Sequence, residues 1–275
     1  MWRQVQSVWQ RTGVRLCVIA VGTLIGVDTH DPGADRARCS WPEVTQAAEY
    51  VAAAAQTSDG SADADLLRIV TKERYGAEAQ ATEISELKEY ATRSAPSHAR
   101  AVAELVVGHA LSESRDEAVK RESKEWLRKV VDGFPKTREA RLAEVDLSLL
   151  DLSAVVGAPL AAPPDALRKA WSAVRDAMNR ALPDYRALDS AGDPVTLALR
   201  QRLGWSEREP LAATAKMRIA QLTVGVEGFK EAKGLFRELV SEYGGRPAGD
   251  WAETVLKAYG ESGPGTSATP SGGGG

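Results

Sequence analysis

The chain has 275 residues, of which 43% are hydrophobic and 27% are charged. These proportions are typical of a soluble globular protein and allow one large domain or two small ones. The 35 basic and 38 acidic residues give a net charge of −3, which argues against a nucleic-acid-binding protein because such proteins carry a basic excess on one face. Alanine is abundant and aromatic residues make up only 6%, so the composition favours helices over sheet.

The amino-terminal region has a basic stretch followed by an apolar segment. Arg3, Arg11 and Arg15 occur in residues 1–15 without any acidic residue, and residues 16–27 (LCVIAVGTLIGV) carry no charge. This layout is typical of a secretory signal, although a helix of that length spans only about 18 Å of the ~30 Å hydrocarbon core. We therefore expect export to the periplasm or anchoring in the inner membrane through residues 16–27. A buried segment of a cytoplasmic protein is the alternative.

The two cysteines, Cys17 and Cys39, do not form a recognisable metal site. Neither belongs to a C-x-x-C pair or has a histidine at zinc-ligand spacing, so we predict no structural zinc. A disulfide between them can form if the chain is exported intact, but the position of Cys17 inside the apolar segment disfavours it.

The sequence divides into three parts. Residues 1–39 form the basic and apolar segment with a polar linker, and residues 40–260 are predicted to form an α-helical repeat domain. The domain opens with Ser40 as a helix cap and Pro42 in the first turn. Residues 261–275 (ESGPGTSATPSGGGG) contain no apolar side chain larger than alanine, so they are predicted to be a disordered tail.

Glycine and proline divide the repeat domain into segments of mostly 12 to 20 residues, the usual length of a globular helix. No segment alternates polar and apolar residues over a sustained stretch, so we predict little or no sheet. The predicted breaks lie near Gly76, Pro96, residues 133–135, residues 157–164, Pro183, residues 192–194, Gly204, residues 225–228 and residues 244–245.

An internal repeat is the strongest pattern in the sequence. Residues 126–134 (WLRKVVDGF) and 235–243 (LFRELVSEY) have large apolar side chains at the same five places, and the register continues without a gap to Ala143 and Ala252. The offset of 109 residues is about three units of ~36 residues, close to the tetratricopeptide (TPR) period. The segments are therefore interpreted as copies of one unit.

A third copy begins at Pro96, because residues 96–105 resemble residues 135–145 at an offset of 39 to 40 residues. Each unit has an apolar helical stripe, an aromatic residue, a turn and a returning helix with small residues. One such hairpin cannot bury both of its faces, so neighbouring hairpins must stack. We predict an all-α fold of helical hairpin repeats, a TPR-like solenoid that is irregular in the middle, after the N-terminal hydrophobic segment. An irregular helical bundle is the alternative.

These residues resemble the repeat of bacterial envelope tetratricopeptide proteins, which include the outer-membrane-assembly lipoproteins and the periplasmic cell-division coordinators. The resemblance covers residues 87–259 and is carried by residues 126–143 and 235–252. The proline-rich stretch 157–203 departs from it, and the lipid-attachment motif of the lipoprotein members is absent. The resemblance implies a non-enzymatic scaffold that binds another protein in a groove between helices.

The sequence contains few candidates for catalysis or metal binding. Its histidines are His30, His98 and His109, and the last two lie three helical turns apart, too far to share a metal on one helix. No metalloprotease, serine-hydrolase, P-loop or dinucleotide-binding motif is present. We therefore predict no catalytic residue, no cofactor and no metal ligand.

Paired acids and tryptophans are interpreted structurally. The acids lie among lysines and arginines, so they are interpreted as solvent-facing ion-pair partners and not as a general acid and base. The tryptophans fall mostly on apolar stripes and are interpreted first as core residues and second as interface anchors. The acid pairs are Glu83 and Glu86, Glu113 and Asp116, and Glu207 and Glu209; the tryptophans include Trp41, Trp126, Trp171, Trp205 and Trp251.

The pattern as a whole favours a non-enzymatic scaffold or adaptor in the bacterial cell envelope, with another protein as its partner and no nucleic acid. The alternative is an accessory structural subunit of a membrane protein complex, held by the N-terminal hydrophobic helix. A helical enzyme with a site assembled from scattered acids and a cytoplasmic adaptor are the remaining alternatives. The abundance of alanine and arginine is typical of a high-GC bacterial genome.

Overall fold

The computed structural model describes residues 61–70, 77–157, 163–204 and 209–259. Within these ranges the regular structure is entirely helical, without any strand, which confirms the predicted all-α class. The N-terminal segment with its two cysteines, the predicted helix at Ser40 and the predicted tail all lie outside the described residues. The helices in these ranges are α1 (Ser61–Val70), α2 (Ala77–Arg93), α3 (His98–Ser112), α4 (Glu117–Gly133), α5 (Arg138–Val156), α6 (Pro164–Ser190), α7 (Pro194–Arg202), α8 (Leu211–Glu227), α9 (Phe229–Tyr243) and α10 (Pro247–Ala258).

The helices pack mainly against their neighbours in chain order. From α1 to α6 each helix contacts the next, and α6 then contacts α8, which contacts α9, which contacts α10. Contacts also join α1 with α3, α3 with α5, and α8 with α10. The helices α3 and α5 therefore form one layer against which α4 packs.

The short helix α7 departs from this order, because it packs against α1, α3 and α6. Arg202 at its end donates a hydrogen bond of 3.2 Å to the carbonyl oxygen of Val70, 132 residues earlier in the sequence. The same guanidinium forms an ion pair of 2.7 Å with Glu83 on α2. The chain thus returns to its first described helices within the proline-rich stretch that departs from the repeat pattern.

Two groups of buried side chains form the interior. The larger group draws on α1 to α8 and includes Leu105 and Leu127, and the smaller group is formed by α8, α9 and α10 around Phe236. Helix α8 contributes to both, with Ile219 in the larger group and Ala220 in the smaller. Burial of each large apolar side chain stabilises the fold by roughly 1.5–3 kcal/mol, so packing outweighs intrinsic helix propensity.

Two glycines permit close approach of neighbouring helices. A Cβ atom at Gly108 on α3 would lie 2.7 Å from the side chain of Leu127 on α4, and one at Gly225 on α8 would lie 2.8 Å from the ring of Trp171 on α6. The Ser123 hydroxyl of α4 also donates a hydrogen bond of 2.6 Å to the Gly108 carbonyl oxygen. The spacing of α3 and α4 therefore depends on the missing side chain at Gly108.

Most predicted breaks coincide with helix ends. Gly204 follows the end of α7 with a φ of 84°, and Gly228 follows the end of α8 with a φ of 99°, both in the left-handed region that favours glycine. The break near Gly76 lies outside the described residues. The other breaks that match helix ends are those near Pro96 and at residues 133–135, 157–164, 192–194 and 244–245.

The break predicted at Pro183 is wrong, because Pro183 lies inside α6. A proline in a helix interior removes one backbone hydrogen bond. Its neighbours Ala181, Asp184 and Leu188 are buried, whereas Pro183 itself is exposed. The packing of the buried face keeps the helix continuous across the proline.

The last two turns of α4 and of α9 contain the two segments that match in the sequence. Leu127 and Val130 on α4 are each 0% exposed, and their counterparts Phe236 and Leu239 on α9 are 1% and 0% exposed. The same positions of the apolar stripe therefore face the interior in both helices.

The turns that follow α4 and α9 also share their hydrogen bonding. In the first turn the N–H of Thr137 donates to the carbonyl oxygen of Phe134 at 3.3 Å, and in the second the N–H of Arg246 donates to that of Tyr243 at 3.0 Å. These donors and acceptors are counterparts at the offset of 109 residues.

Each of these turns has one residue in the left-handed region of backbone space. The φ angle is 69° at Lys136 and 76° at its counterpart Gly245. Lys136 is the one non-glycine residue with a positive φ in the described part of the chain. Arg141 donates a hydrogen bond of 2.8 Å to the Lys136 carbonyl oxygen, which stabilises this turn.

The helices α3 and α5 begin with the same kind of cap. The Ser97 hydroxyl accepts a hydrogen bond of 3.2 Å from the N–H of Arg100, and the Thr137 hydroxyl accepts one of 3.2 Å from the N–H of Ala140. Such a cap contributes about 1 kcal/mol to helix stability. The resemblance of residues 96–105 to residues 135–145 therefore corresponds to two equivalent helix starts.

Candidate functional site

The two histidines of α3 each form a hydrogen bond with an acid on α5. His98 and His109 lie on one helix, as the sequence predicts. His98 Nε2 lies 3.2 Å from Glu139 Oε1, and His109 Nδ1 lies 2.9 Å from Asp146 Oδ2. Both acids are buried, with exposed fractions of 3% and 7%. Two histidine–carboxylate pairs therefore connect α3 to α5.

The His98 pair lies in an open pocket at the starts of α3, α5 and α7. The pocket has a volume of about 490 Å³ and is lined by His98, Arg138, Glu139, Asp193 and Thr196. Arg138 donates to Glu139 Oε1 at 2.9 Å and to Thr196 Oγ1 at 3.3 Å. The N–H of Thr196 donates to Asp193 Oδ1 at 2.9 Å. The polar groups of this pocket therefore already bind one another.

Glu139 is held as a carboxylate in this pocket. Burial alone would raise the pKa of the Glu139 carboxyl, but a hydrogen bond with His98, a backbone hydrogen bond and the charges of Arg138 and His98 outweigh it and lower the pKa to about 2. A carboxyl whose pKa is depressed by folding stabilises the folded chain above its ordinary pKa. This contribution is lost as the pH falls from about 4.5 towards 2.

Charged groups act on the His109 pair and on Tyr185 of α6: Arg218 of α8 acts on His109 and on Tyr185, and Asp146 acts on Tyr185. Burial lowers the pKa of His109, but the charge of Asp146 and the hydrogen bond to it raise that pKa above its ordinary value, with Glu113 adding to the rise and Arg218 opposing it. Burial also raises the pKa of Tyr185, so its phenol is neutral at physiological pH. We name His109, Asp146, Tyr185 and Arg218 the four-helix cluster, since each residue comes from a different helix.

Members of the four-helix cluster carry hydrogen-bond donors that have no partner among the described residues. The half-buried guanidinium of Arg218 makes neither a hydrogen bond nor an ion pair with any described residue, and the Tyr185 hydroxyl makes no hydrogen bond with any of them. His109 binds Asp146 through Nδ1, which leaves its Nε2 unpaired within the same ranges. By contrast, Arg138 and Arg175 elsewhere in the helices are ion-paired.

The interpretation of the paired acids as solvent-facing is wrong for Glu83. Glu83 is 7% exposed and forms its ion pair with Arg202 on α7. Asp116 caps α4, because its carboxylate accepts a hydrogen bond of 2.7 Å from the N–H of Ala118. Glu207 lies outside the described residues. The spacing of residues within one helix does not reveal an ion-pair partner that lies on another helix.

The sequence interpretation also missed the roles of Glu139 and Asp146. These acids are seven residues apart, which places both on one face of α5. The histidines of α3 are eleven residues apart, which likewise places both on one face. The placement of both acids on one face of α5 and of both histidines on one face of α3 was the signal that could have indicated these pairs.

The tryptophans agree in part with their interpretation as core residues. Trp126 is 8% exposed and belongs to the larger core. Trp171 and Trp251 are half-buried and pack against the margins of the two cores. Trp41 and Trp205 lie outside the described residues.

Neither a metal site nor a membrane span occurs in the parts of the chain that the structure describes. There, no group of three or more His, Cys, Asp or Glu side chains is placed to hold a metal ion. No helix in those parts has both the length and the apolar character needed to cross a membrane. The apolar residues 16–27 and His30 fall outside those parts.

The four-helix cluster combines an imidazole, a phenol, a guanidinium and a carboxylate. The Asp146 carboxylate holds the His109 ring through Nδ1, and a hydrogen bond at one ring nitrogen sets the role of the other. The neutral phenol of Tyr185 and the guanidinium of Arg218 add donors and positive charge. Hydrogen bonds from such groups to an ionised acceptor are roughly twice as strong as neutral ones.

Comparisons with known proteins do not assign a function to these residues. No protein-family model matches the chain, and no match was found among curated proteins or among solved structures. The function is therefore inferred from the residues and their arrangement.

Proposed function

We propose that this chain is a non-enzymatic helical-repeat scaffold that binds another protein on the face that carries the four-helix cluster. The observation that carries the proposal is that the Tyr185 hydroxyl, the Arg218 guanidinium and His109 Nε2 have no hydrogen-bond partner among the described residues. Protein interfaces supply about one hydrogen bond per 100–200 Å². A partner protein would therefore find donors that no described residue uses.

The correspondence between the α4–α5 and α9–α10 hairpins supports a TPR-like arrangement. Buried stripe positions, the turn hydrogen bond and the left-handed turn residue recur at one offset. Stacked hairpins form extended surfaces that proteins of this kind use for binding. The long helix α6 and the inserted α7 are the irregular middle of the proposed solenoid.

The proposal includes a location in the bacterial cell envelope, which rests on the sequence of residues 1–27 alone. An accessory subunit of a membrane complex, the alternative function, would use the same apolar segment as a permanent helix. Mass measurement of the mature chain separates the two. Loss of residues 1 to about 37 would exclude the accessory subunit, whereas retention of the segment would leave membrane anchoring in place.

Site-specific photocrosslinking tests the proposed binding face. A photoreactive amino acid is placed at Thr214 or at Gln221, half-buried positions on α8 about one turn before and after Arg218. The full chain is produced in its host and irradiated, and the products are analysed by mass spectrometry. We expect adducts with one common protein at both positions.

The matched control is Arg128, which is exposed on α4 and is not a member of the cluster. We expect no adduct with that protein from Arg128. Equal adduct yields from Arg128 and Gln221, or none from either position on α8, would contradict the proposed face. Adducts confined to positions within residues 16–27 would favour the accessory-subunit alternative.

A further inference from the structure

The two histidine–carboxylate contacts join α3 and α5 at two separate points. His98 and Glu139 lie at the starts of the two helices, and His109 and Asp146 lie further along both. The contacts follow the same order along each helix, so α3 and α5 run in roughly the same direction. One contact therefore holds the starts of the two helices together, and the other holds the end of α3 against the middle of α5.

The two buried acids differ in the partners that balance their charge. Glu139 Oε1 accepts a hydrogen bond of 2.9 Å from Arg138 Nε and lies 3.2 Å from His98 Nε2. Asp146 Oδ2 lies 2.9 Å from His109 Nδ1, and Asp146 forms no other hydrogen bond or ion pair with any described residue. An arginine stays charged in proteins, whereas a histidine ordinarily changes its charge between about pH 5 and 8. Only the acid bound by histidine alone therefore has a partner whose charge depends on pH.

The surroundings of His109 favour its imidazolium form. Burial opposes that form, but the charge of Asp146 and the hydrogen bond to it outweigh burial, so the pKa of His109 lies above its ordinary value. Glu113, which follows the end of α3, raises this pKa further, and Arg218 of α8 opposes the rise. Ser123 of α4 donates a hydrogen bond to the backbone next to His109 and carries no charge.

We propose that the His109–Asp146 contact is a pH-sensitive clamp between α3 and α5. The imidazolium form of His109 donates a hydrogen bond to the buried carboxylate of Asp146 and also balances its charge. The neutral ring, with its proton on Nδ1, donates a weaker hydrogen bond and supplies no charge, so α5 is held less tightly at this point. The His98–Glu139 contact does not loosen in the same way, because Arg138 balances that carboxylate at every pH.

The direction of the pH dependence follows from the raised pKa of His109. A histidine whose pKa is raised by folding stabilises the folded chain fully below its ordinary pKa of 6.5, and this contribution is lost as the pH rises through the raised pKa. The loss should be local to the clamp. We therefore expect residues 146–156 of α5 to loosen at alkaline pH, while residues 138–145 stay in place.

Hydrogen exchange of the full chain, followed by mass spectrometry, tests the clamp. Protection factors, which correct for the intrinsic pH dependence of exchange, are compared at about pH 6 and about pH 9, below and above the range in which histidines ordinarily titrate. We expect the protection of residues 146–156 to fall by about 3- to 10-fold between the two, because a neutral hydrogen bond replaces a charge-assisted one. The protection of residues 138–145 should change by less than about 2-fold, since Arg138 keeps its charge.

Two variants remove the clamp in different ways. Asp146→Asn keeps a hydrogen-bond acceptor but loses the charge, so the midpoint of the His109 ring signals in a nuclear magnetic resonance titration should fall by about 0.5–1 pH unit. His109→Gln keeps a hydrogen-bond donor that does not titrate. In both variants we expect the pH dependence of protection at residues 146–156 to disappear. Circular dichroism shows whether each variant keeps the fold.

Arg138→Gln is the matched change at the other contact. It leaves His98 as the one ion-pair partner of Glu139 among the described residues. The His98–Glu139 contact then resembles the clamp, so we expect the protection of residues 138–145 to become dependent on pH as well.

Several outcomes would overturn the clamp. They are equal protection of residues 146–156 at the two pH values in the parent chain, an unchanged His109 midpoint in folded Asp146→Asn, or a pH dependence that persists in His109→Gln. A uniform loss of protection along the whole of α5 would also overturn it, because both contacts would then depend on pH. If Asp146→Asn does not fold, the parent chain and His109→Gln decide the question.

Discussion

At Lys136 the backbone adopts a φ of 69°, where the Cβ atom of an L-amino acid comes too close to the following carbonyl oxygen. This conformation costs roughly 1–2 kcal/mol for a residue with a side chain. Gly245 reaches nearly the same angle, 76°, in the corresponding turn after α9 and has no Cβ atom. One hairpin therefore carries a strain that the other avoids.

We expect Lys136→Gly to raise the free energy of unfolding by about 0.5–1 kcal/mol, because relief of this strain exceeds the extra entropy of glycine in the unfolded chain. The matched change Gly245→Ala should lower it by about 1 kcal/mol. Urea denaturation of the two variants and the parent measures both changes. A destabilised Lys136→Gly would show that the lysine side chain, and not the turn geometry, holds this hairpin.

The sequence shows which residues have titratable or charged side chains, but it does not show what those side chains contact. The sequence predicts that His98 and His109 share a helix, since their spacing is a property of one segment. The acids that they contact, Glu139 and Asp146, are 41 and 37 residues away in the sequence. Helical periodicity does not show which helices become neighbours. That Arg218 has no partner among the described residues was equally beyond prediction, because it depends on where the acids of neighbouring helices are placed.

The helices α3 and α4 pack closely at Gly108, where a Cβ atom would lie 2.7 Å from the Leu127 side chain. Leu127 is completely buried, so it has little room to move aside. Gly234 on α9 offers the opposite case, since nothing lies within 4 Å of its Cβ position. Substitution of Gly108 therefore tests the spacing of two helices, whereas substitution of Gly234 tests helix propensity.

We expect Gly108→Ala to lower the free energy of unfolding by about 1–3 kcal/mol, the usual cost of overpacking. Gly234→Ala should raise it by about 0.5–1 kcal/mol, because alanine is the better helix former. Thermal and urea denaturation of the two variants measure the difference. Stabilisation by both changes would indicate that α3 and α4 can separate without cost.

Helix ends were predicted well wherever the local chemistry sets them. The turns at Gly204 and Gly228 use a positive φ, and a glycine in the sequence indicates that directly. Pro183 was predicted to end a helix and does not, because buried neighbours on both sides outweigh one missing backbone hydrogen bond. The docking of α7 on α1 also escaped prediction, since it joins segments that share no local pattern.

The described part of the molecule has two cores, which meet at α8 and at Leu235 of α9. Phe236 is the largest side chain of the smaller core and is 1% exposed, and Leu127 is 0% exposed in the larger core. Most contacts link helices that are adjacent in the chain, as in repeat proteins, whose stability is a sum of local terms. We therefore expect a substitution in one core to destabilise mainly the helices that form that core.

We expect Phe236→Ala to cost about 3–5 kcal/mol and Leu127→Ala about 2–5 kcal/mol of stability. Hydrogen exchange followed by mass spectrometry should show faster exchange mainly in α9 and α10 for Phe236→Ala, and mainly in α3 to α5 for Leu127→Ala. This contrast follows because exchange reports the local opening of each unit. Uniform acceleration across all helices in both variants would instead indicate a single cooperative unit.

The contact of Arg202 with Val70 and Glu83 has a consequence for the order in which the chain matures on the ribosome. The helix α1 packs against α2, α3 and α7, and the last of these is synthesised only after five intervening helices. A nascent chain that ends before residue 202 therefore holds α1 by two neighbours instead of three. Domains fold progressively during synthesis, so translation past Arg202 is the event that secures the amino-terminal edge of the helical body.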